Sequence, residues 1–311
     1  MDRAPYTDLL VTSTGLTLMR GGPEDGLVTC RPDQHQALRN QVSGHWKTTG
    51  QGSFRLEWEG RFYRVTVLED LAGPAFFLRR MPRTVPDFES LGLPQPVARW
   101  LVNDCRKGLV LFCGAQGSGK TTSACALVRS RLLHDGGHAV TFECPAEMPL
   151  HGIHGNGFCF QTELEDETAL AQALCSAHRY ASPDILFIGE IRTRYAAAQV
   201  LRAALGSDRQ LVVATIHGLD LSSALDRLLT FAREADGDIA ARNLAQTLTA
   251  VMFQRMSTHG GRACVDLSEF LLIPFTEGAK SIRSKLRSGS LLALGDDIRE
   301  QKNRLAFRGE L

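Results

Sequence analysis

The sequence has no excess of charge of either sign: 35 Lys and Arg face 34 Asp and Glu, for a formal net charge of +1 over 311 residues. That balance argues against a strongly basic nucleic-acid-binding protein and leaves only a local basic patch open. Long hydrophobic runs are missing as well. No uncharged apolar stretch approaches the ~20 residues that cross a bilayer, so any membrane role is expected to be peripheral, through a partner. The opening Met1-Asp-Arg-Ala-Pro5 lacks the apolar region of a secretory signal. Eight cysteines lie at positions 30, 105, 113, 125, 144, 159, 175 and 264, and no two are spaced as Cys-x-x-Cys. This argues against a zinc site and fits small core residues in a reducing, cytosolic chain. Internal repeats and low-complexity tracts are absent too. What is present, 43% hydrophobic and 22% charged residues, is an ordinary globular composition with room for about two domains.

Two halves emerge along the chain. In residues 1–82 the short apolar runs Leu9–Thr12, Phe54–Trp58, Phe62–Leu68 and Phe76–Leu78 alternate with turns, and Asp25-Gly26 and Glu59-Gly60 read as reversal points. A small α+β domain with an antiparallel sheet is expected. Residues 83–95 carry Pro86, Gly92 and Pro94 and read as a linker or hinge. From residue 96 to 311, strands alternate with helices. Strands are expected at 108–113, 138–143, 184–189 and 210–216, and helices at 119–134, 166–180, 194–206 and 221–232. A further strand near Ala263–Ile273 precedes helices near 277–287 and 295–304. The alternation predicts an α/β domain with a mostly parallel sheet.

One motif dominates the second half. Gly114-Ala-Gln-Gly-Ser-Gly-Lys-Thr121 is a complete phosphate-binding loop, entered from the apolar run Gly108–Cys113 and followed at helical spacing by Thr122–Arg129. Glycines let successive backbone N–H groups converge on phosphate oxygens, and the helix N-terminus adds positive potential. Gly114, Ala115, Gln116, Gly117, Ser118, Gly119, Lys120, Thr121 and Thr122 are therefore expected to hold ATP. Lys120 is expected to reach the β- and γ-phosphates, and the Thr121 hydroxyl to help hold Mg²⁺. The competing reading is a plain glycine turn.

A second run, Ile185-Leu-Phe-Ile-Gly-Glu190, has the pattern of a buried strand ending in an acid. Phosphate-loop enzymes need a carboxylate at the end of a neighbouring strand to hold Mg²⁺ or its water, or to polarise the attacking water. Alone, Glu190 could be an exposed strand-end acid; with the loop upstream it becomes a candidate catalytic group.

At these residues the chain resembles the bacterial ATPases that power type II and type IV secretion and type IV pili. Pro183-Asp184-Ile-Leu-Phe-Ile-Gly-Glu190-Ile-Arg192 is similar to the family signature, Glu143-Cys-Pro-Ala-Glu147 to its acidic box and Leu211–His217 to its histidine box. Leu78–Pro82, Leu91–Pro94 and Ser281–Arg287 resemble segments of the pilus-retraction (PilT-type) subgroup. The resemblance runs from about residue 60 to about 290. It implies a RecA-like P-loop core preceded by a small PAS-like α+β domain, working as a cytoplasmic homo-hexamer beside an inner-membrane platform protein. It also implies roles. Glu190 would orient the attacking water, Glu143 would assist at Mg²⁺ or the water, with Glu147 bracing the box, and His217 would sense the γ-phosphate. Arg64 and Arg79 would reach the nucleotide of a neighbouring subunit.

Each assignment has a plainer counterpart. Glu143 could be a surface acid, His217 a structural histidine, Arg64 and Arg79 solvated strand arginines, Arg192 the partner of a strand-end acid, and Asp184 an ion-pair partner or a cap. Three positions depart from the family pattern: Cys144 and Thr193 stand where Asp is usual, and Arg209-Gln210 where the pattern has Gly-His. They leave hydrolysis expected but slow or partner-dependent. The long N-terminal domain and four-cysteine insertion of assembly ATPases have no counterpart here, which favours a retraction-like or conjugative-type motor. Two alternatives stay open: a ring ATPase that translocates nucleic acid, and a degenerate nucleotide-binding scaffold paired with another motor.

Overall fold

The computed structural model describes residues 6–21, 26–31, 35–164, 167–206, 208–259, 262–274 and 279–308. The chain divides into two compact units. The first takes in the residues up to Thr84 together with Glu147–Pro149, and the second Val85–Ala146 and the residues from Leu150 onward.

In the first unit the strands β1 (Asp8–Thr12), β2 (Thr17–Arg20), β3 (Val28–Thr29), β4 (Ser53–Trp58), β5 (Arg61–Asp70) and β6 (Gly73–Arg80) form a sheet in the order β3-β2-β1-β6-β5-β4. All its pairings are antiparallel. Period-two patterning explains which face is buried: Leu9 and Val11, Phe54 and Leu56, Tyr63 and Val65, and Phe76 and Leu78 all enter one core with Leu38 and Val42 of helix α1 (Gln36–Thr49). Glu59 and Gly60 have φ of 50° and 67°, the positive pair that a two-residue hairpin requires, and Trp58 pairs with Arg61 across it. Asp25 of the other expected turn lies outside the described residues. The sequence reading did not include α1, whose face alternates too little with the surrounding polar residues to stand out.

The second unit is built on a sheet of order β14-β13-β7-β12-β11-β8-β10-β9. Its strands are β7 (Gly108–Gly114), β8 (Gly137–Glu143), β9 (Gly152–His154), β10 (Gly157–Glu163), β11 (Ile185–Ile188), β12 (Leu211–His217), β13 (Leu248–His259) and β14 (Arg262–Leu272). Strands β13, β7, β12, β11, β8 and β10 run parallel, while β14 and β9 are antiparallel at the two edges. The expected mostly parallel α/β sheet is what forms. Residues of β7 and β11 are buried throughout, because helices covering a parallel sheet leave no polar face.

Helices α2 (Gln95–Asn103), α3 (Lys120–Asp135), α4 (Leu170–Ser176), α5 (Arg194–Leu205), α6 (Leu221–Asp236), α7 (Ile239–Thr247), α8 (Lys280–Ser288) and α9 (Gly295–Arg308) complete the unit. The helix expected over 166–180 is broken into a short 3-10 turn, α4 and a π-helical turn at Ala177–Ala181; its first residue lies outside the described residues. So do residues 277 and 278 of the expected 277–287 helix. Within the stretch read as a linker, Phe88 is fully buried and meets the Phe112 ring edge-on at 6.3 Å, and Val85 and Leu93 are buried too. From Val85 onward this stretch therefore packs as part of the second unit.

Arg131 of α3 is almost fully buried and is held by the carbonyls of Leu101 and Val102 and by Asp135. Burial would raise the Asp135 carboxyl, but the hydrogen bond from His134 and the guanidinium groups of Arg131 and Arg106 outweigh it and hold it below the usual range.

Candidate nucleotide site

Open parallel sheets bind ligands beyond the carboxyl ends of their strands. Here that edge gathers Gly114 from β7, Glu143 from β8, Glu190 just after β11 and His217 from β12. His217 lies directly beside Gly114 in the β12–β7 register. Gly114, Gly117 and Gly119 have φ of 151°, 77° and 83°, conformations that side-chain-bearing residues rarely adopt. At Gly114 a Cβ would stand 2.4 Å from the Gln254 carbonyl oxygen, so the loop closes only with glycine there. Gly119 then caps α3, which begins at Lys120 and offers its free N–H groups to the cradle.

Lys120 is buried, and its ammonium donates to the Ala115 carbonyl at 2.9 Å. It also faces His217 Nδ1 at 3.3 Å. An ammonium can only donate, so Nδ1 accepts and the imidazole hydrogen sits on Nε2. Nε2 lies 2.6 Å from Glu190 Oε1. The other carboxylate oxygen, Oε2, accepts from Arg192 Nε at 2.7 Å. Lysine, histidine, glutamate and arginine thus form one continuous chain from the loop to the strand-end acid. Its backbone is tied as well: Ile191 N–H donates to the Thr215 carbonyl at 2.8 Å, and Thr215 Oγ1 donates to the Gly189 carbonyl.

Glu143 is 2% exposed, and its Oε1 accepts from Thr141 Oγ1 at 2.9 Å and from Gln161 Nε2 at 2.8 Å. It is therefore no surface acid. A cavity of about 30 Å³ beside it is lined by Cys144, Glu190 and Arg192 among others. Among the described residues no three His, Cys, Asp or Glu side chains converge on a metal position. The oxygen donors that would hold or face Mg²⁺ on a bound nucleotide are the Thr121 hydroxyl in the first turn of α3 and the Glu143 carboxylate. The buried Ser118 hydroxyl has no hydrogen-bond partner among the described residues. Together with the glycine conformations and the Lys120 ammonium, this donor set fits a polyphosphate and its cation.

The three departures separate by position. Thr193 caps α5, its hydroxyl accepting from Ala196 N–H at 3.3 Å, a task that Asp would also perform. Gln210 is buried at the opposite end of β12, where its amide donates to the Pro183 carbonyl at 2.7 Å and accepts from His178. Asp184 lies at that end too, its carboxylate accepting from the His138 backbone N–H at 2.9 Å and facing the His138 ring at 3.3 Å, so that both readings find a contact. The seven residue steps from Gln210 to His217 span about 23 Å of strand, so this change does not touch the loop. Cys144, next to Glu143, and Thr193, next to Arg192, adjoin the site. Arg64 and Arg79 belong to the first unit, where Arg64 pairs with Glu147 at 2.9 Å and the exposed Arg79 with Asp8 at 2.8 Å.

The cysteines divide sharply. Burial pushes the Cys105 and Cys159 thiols up to about 12 and raises Cys113 as well, whereas Cys144 and Cys175 are exposed. Thiolate is the reactive form. Brief alkylation of the native protein at neutral pH, followed by peptide mass spectrometry, is therefore expected to mark Cys144 and Cys175 and to leave Cys105, Cys113 and Cys159 unmodified. Label at the latter three in folded protein would contradict the packing.

Sequence reasoning missed Thr141 and Gln161, which orient Glu143, and Gln254, whose amide donates to the Ser118 carbonyl at 2.7 Å. The one available signal for Gln254 is that it interrupts the apolar run of β13.

A family model described as type II/IV secretion system protein matches residues 52–289. The type IV pilus ATPase PilU of Pseudomonas aeruginosa is 30% identical over 200 residues, which cover 63% of this chain and 50% of PilU. A twitching motility protein of Neisseria gonorrhoeae is 31% identical over 224 residues, covering 71% of this chain and 57% of that protein. The chain thus spans about half the length of these curated relatives. Among solved structures, the pilus retraction motor PilT with bound ADP aligns at a TM-score of 0.76 and 24% identity, over 95% of this chain and 86% of the other. That likeness establishes the fold.

Proposed function

The chain belongs to the type II/IV secretion system protein family, and on that premise we propose that it is an ATP-hydrolysing motor of a pilus, secretion or conjugative machine. The observation that carries this reading is the continuous contact from Lys120 through His217 to Glu190, which links a phosphate cradle to a positioned carboxylate. Bound Mg²⁺ would neutralise charge on the phosphate oxygens. Lys120 and the loop N–H groups hold the β- and γ-phosphates, and Thr121 and Glu143 face the cation. Glu190 orients and deprotonates the attacking water, with Arg192 holding one of its oxygens and His217 standing against the other. His217, facing Lys120, registers whether a γ-phosphate is present. Arg64 and Arg79 serve the nucleotide of a neighbouring subunit in a homo-hexamer, and ATP turnover drives domain motion. No helix among the described residues is long and apolar enough to cross a membrane; the motor works from the cytoplasmic side through an inner-membrane platform protein.

The deciding experiment measures steady-state ATP hydrolysis with and without DNA, alongside native mass in the presence of nucleotide. The reading expects turnover that is indifferent to DNA and a six-subunit species. Undetectable turnover at high protein concentration would sink the motor and leave a scaffold, and strong DNA stimulation would favour a nucleic-acid translocase.

A further inference from the structure

We infer that Gln254 is a positioning residue for the phosphate loop: its side-chain amide fixes the Ser118–Gly119 peptide so that the Gly119 N–H is aimed at the nucleotide. This rests on the reading of the loop as a nucleotide site and adds a residue outside the motifs read in the sequence.

Gln254 is fully buried in β13, 136 residues from Ser118 in sequence. The Ser118 carbonyl accepts from its Nε2 at 2.7 Å, which settles the orientation of the amide, since only nitrogen can donate there. A trans peptide is planar with C=O and N–H on opposite sides. Drawing the Ser118 carbonyl toward β13 therefore turns the Gly119 N–H the other way, into the cradle at the start of α3. The Gln254 backbone contributes from the same position, because its carbonyl oxygen occupies the space a Gly114 side chain would need. Both ends of the loop thus lean on one residue.

Two further observations separate this role from ordinary packing. The β13–β14 ladder is disrupted at this position, Phe253 facing Glu269 and Gln254 facing Leu267, with the extra residue, Ser268, on β14. The other amide atom, Oε1, is buried without a partner among the described residues. An unmet buried acceptor is destabilising, and a position that merely filled space would be better served by Leu or Met, as its neighbours Val251, Met252 and Phe253 are. The glutamine keeps a destabilising half for the sake of the donating half.

The test compares wild type with Gln254→Met, which is close in shape but lacks the donor, and Gln254→Glu, which presents an acceptor to the Ser118 carbonyl. Affinity for a fluorescent ADP analogue, KM and kcat for ATP, and Tm without nucleotide are measured for each. Gln254→Met is expected to bind the analogue about ten-fold more weakly and to raise KM in parallel, with kcat within about three-fold, because the lost contact acts on phosphate holding. Its Tm is expected to stay close to that of wild type, because one unmet buried acceptor, Oε1, is exchanged for another, the Ser118 carbonyl, so affinity falls without a matching fall in stability. Gln254→Glu is expected to weaken binding at least as much. Wild-type affinity in a folded Gln254→Met protein would overturn the inference, as would a loss of affinity that only tracked a fall in Tm. Should Gln254→Met not fold, folded Gln254→Glu with unchanged affinity would overturn it equally. Failure of wild type itself to bind the analogue would strike the nucleotide reading instead.

Discussion

Lys120→Ala is expected to abolish measurable ATP turnover, a fall of at least 10³-fold, and to weaken nucleotide binding by ten- to a hundred-fold. The estimate follows from the chemistry of the contact. A hydrogen bond to a charged group contributes about 1.5–3 kcal/mol, and this ammonium is one of the few charges available where negative charge develops on the transferring phosphoryl group. The side chain is also buried and touches both Ala115 and His217, so its removal loosens the loop and the histidine together. Titration with a fluorescent nucleotide, beside a coupled hydrolysis assay, measures both effects. Turnover within two-fold of wild type would remove Lys120 from the site.

The second large effect concerns Glu190. Glu190→Gln keeps the shape of the side chain and one acceptor oxygen but cannot take a proton from water. General-base catalysis is worth about 10²–10⁴-fold, so kcat is expected to drop by at least 10²-fold while nucleotide affinity stays within about three-fold. ATP should then accumulate uncleaved on the protein, which rapid filtration with radiolabelled nucleotide detects. A variant that turned over normally would shift the catalytic role to Glu143, whose two oriented contacts to Thr141 and Gln161 make it the other placed carboxylate. The split between intact binding and lost turnover distinguishes this substitution from Lys120→Ala.

Much of the site was legible because its signals are local. The run from Gly108 through Thr121 states strand, turn and helix within a few residues, and Ile185–Glu190 states strand and acid. The mostly parallel sheet followed from the same alternation. Contacts that join distant segments were not legible. Glu143 read as a possible surface acid, since nothing near it in sequence announces that Thr141 and Gln161 would bury and orient it. His217 and Arg192 could be placed near strand ends, but their convergence on the two oxygens of Glu190 depends on the lateral order of β7, β12 and β11. Helix α7 and strand β13 escaped notice for another reason. Leu248 both ends the helix and opens the strand, so no glycine or proline punctuates the passage and neither periodicity stands clear. Gln254 lies in that stretch.

The passage from α7 into β13 runs without a loop, and the extra residue it carries against β7, Thr249, comes before the stretch that bears Gln254. Along a strand, adding or deleting one residue moves every following side chain to the opposite face. From Ala250 to Phe253 the pairing with β7 is unbroken, so a one-residue slip there would turn Gln254 away from Ser118 and bring Phe253 or Arg255 into its place. Insertions are readily tolerated at exposed loop tips; here the chain has to keep an exact residue count so that one amide arrives beneath the phosphate loop.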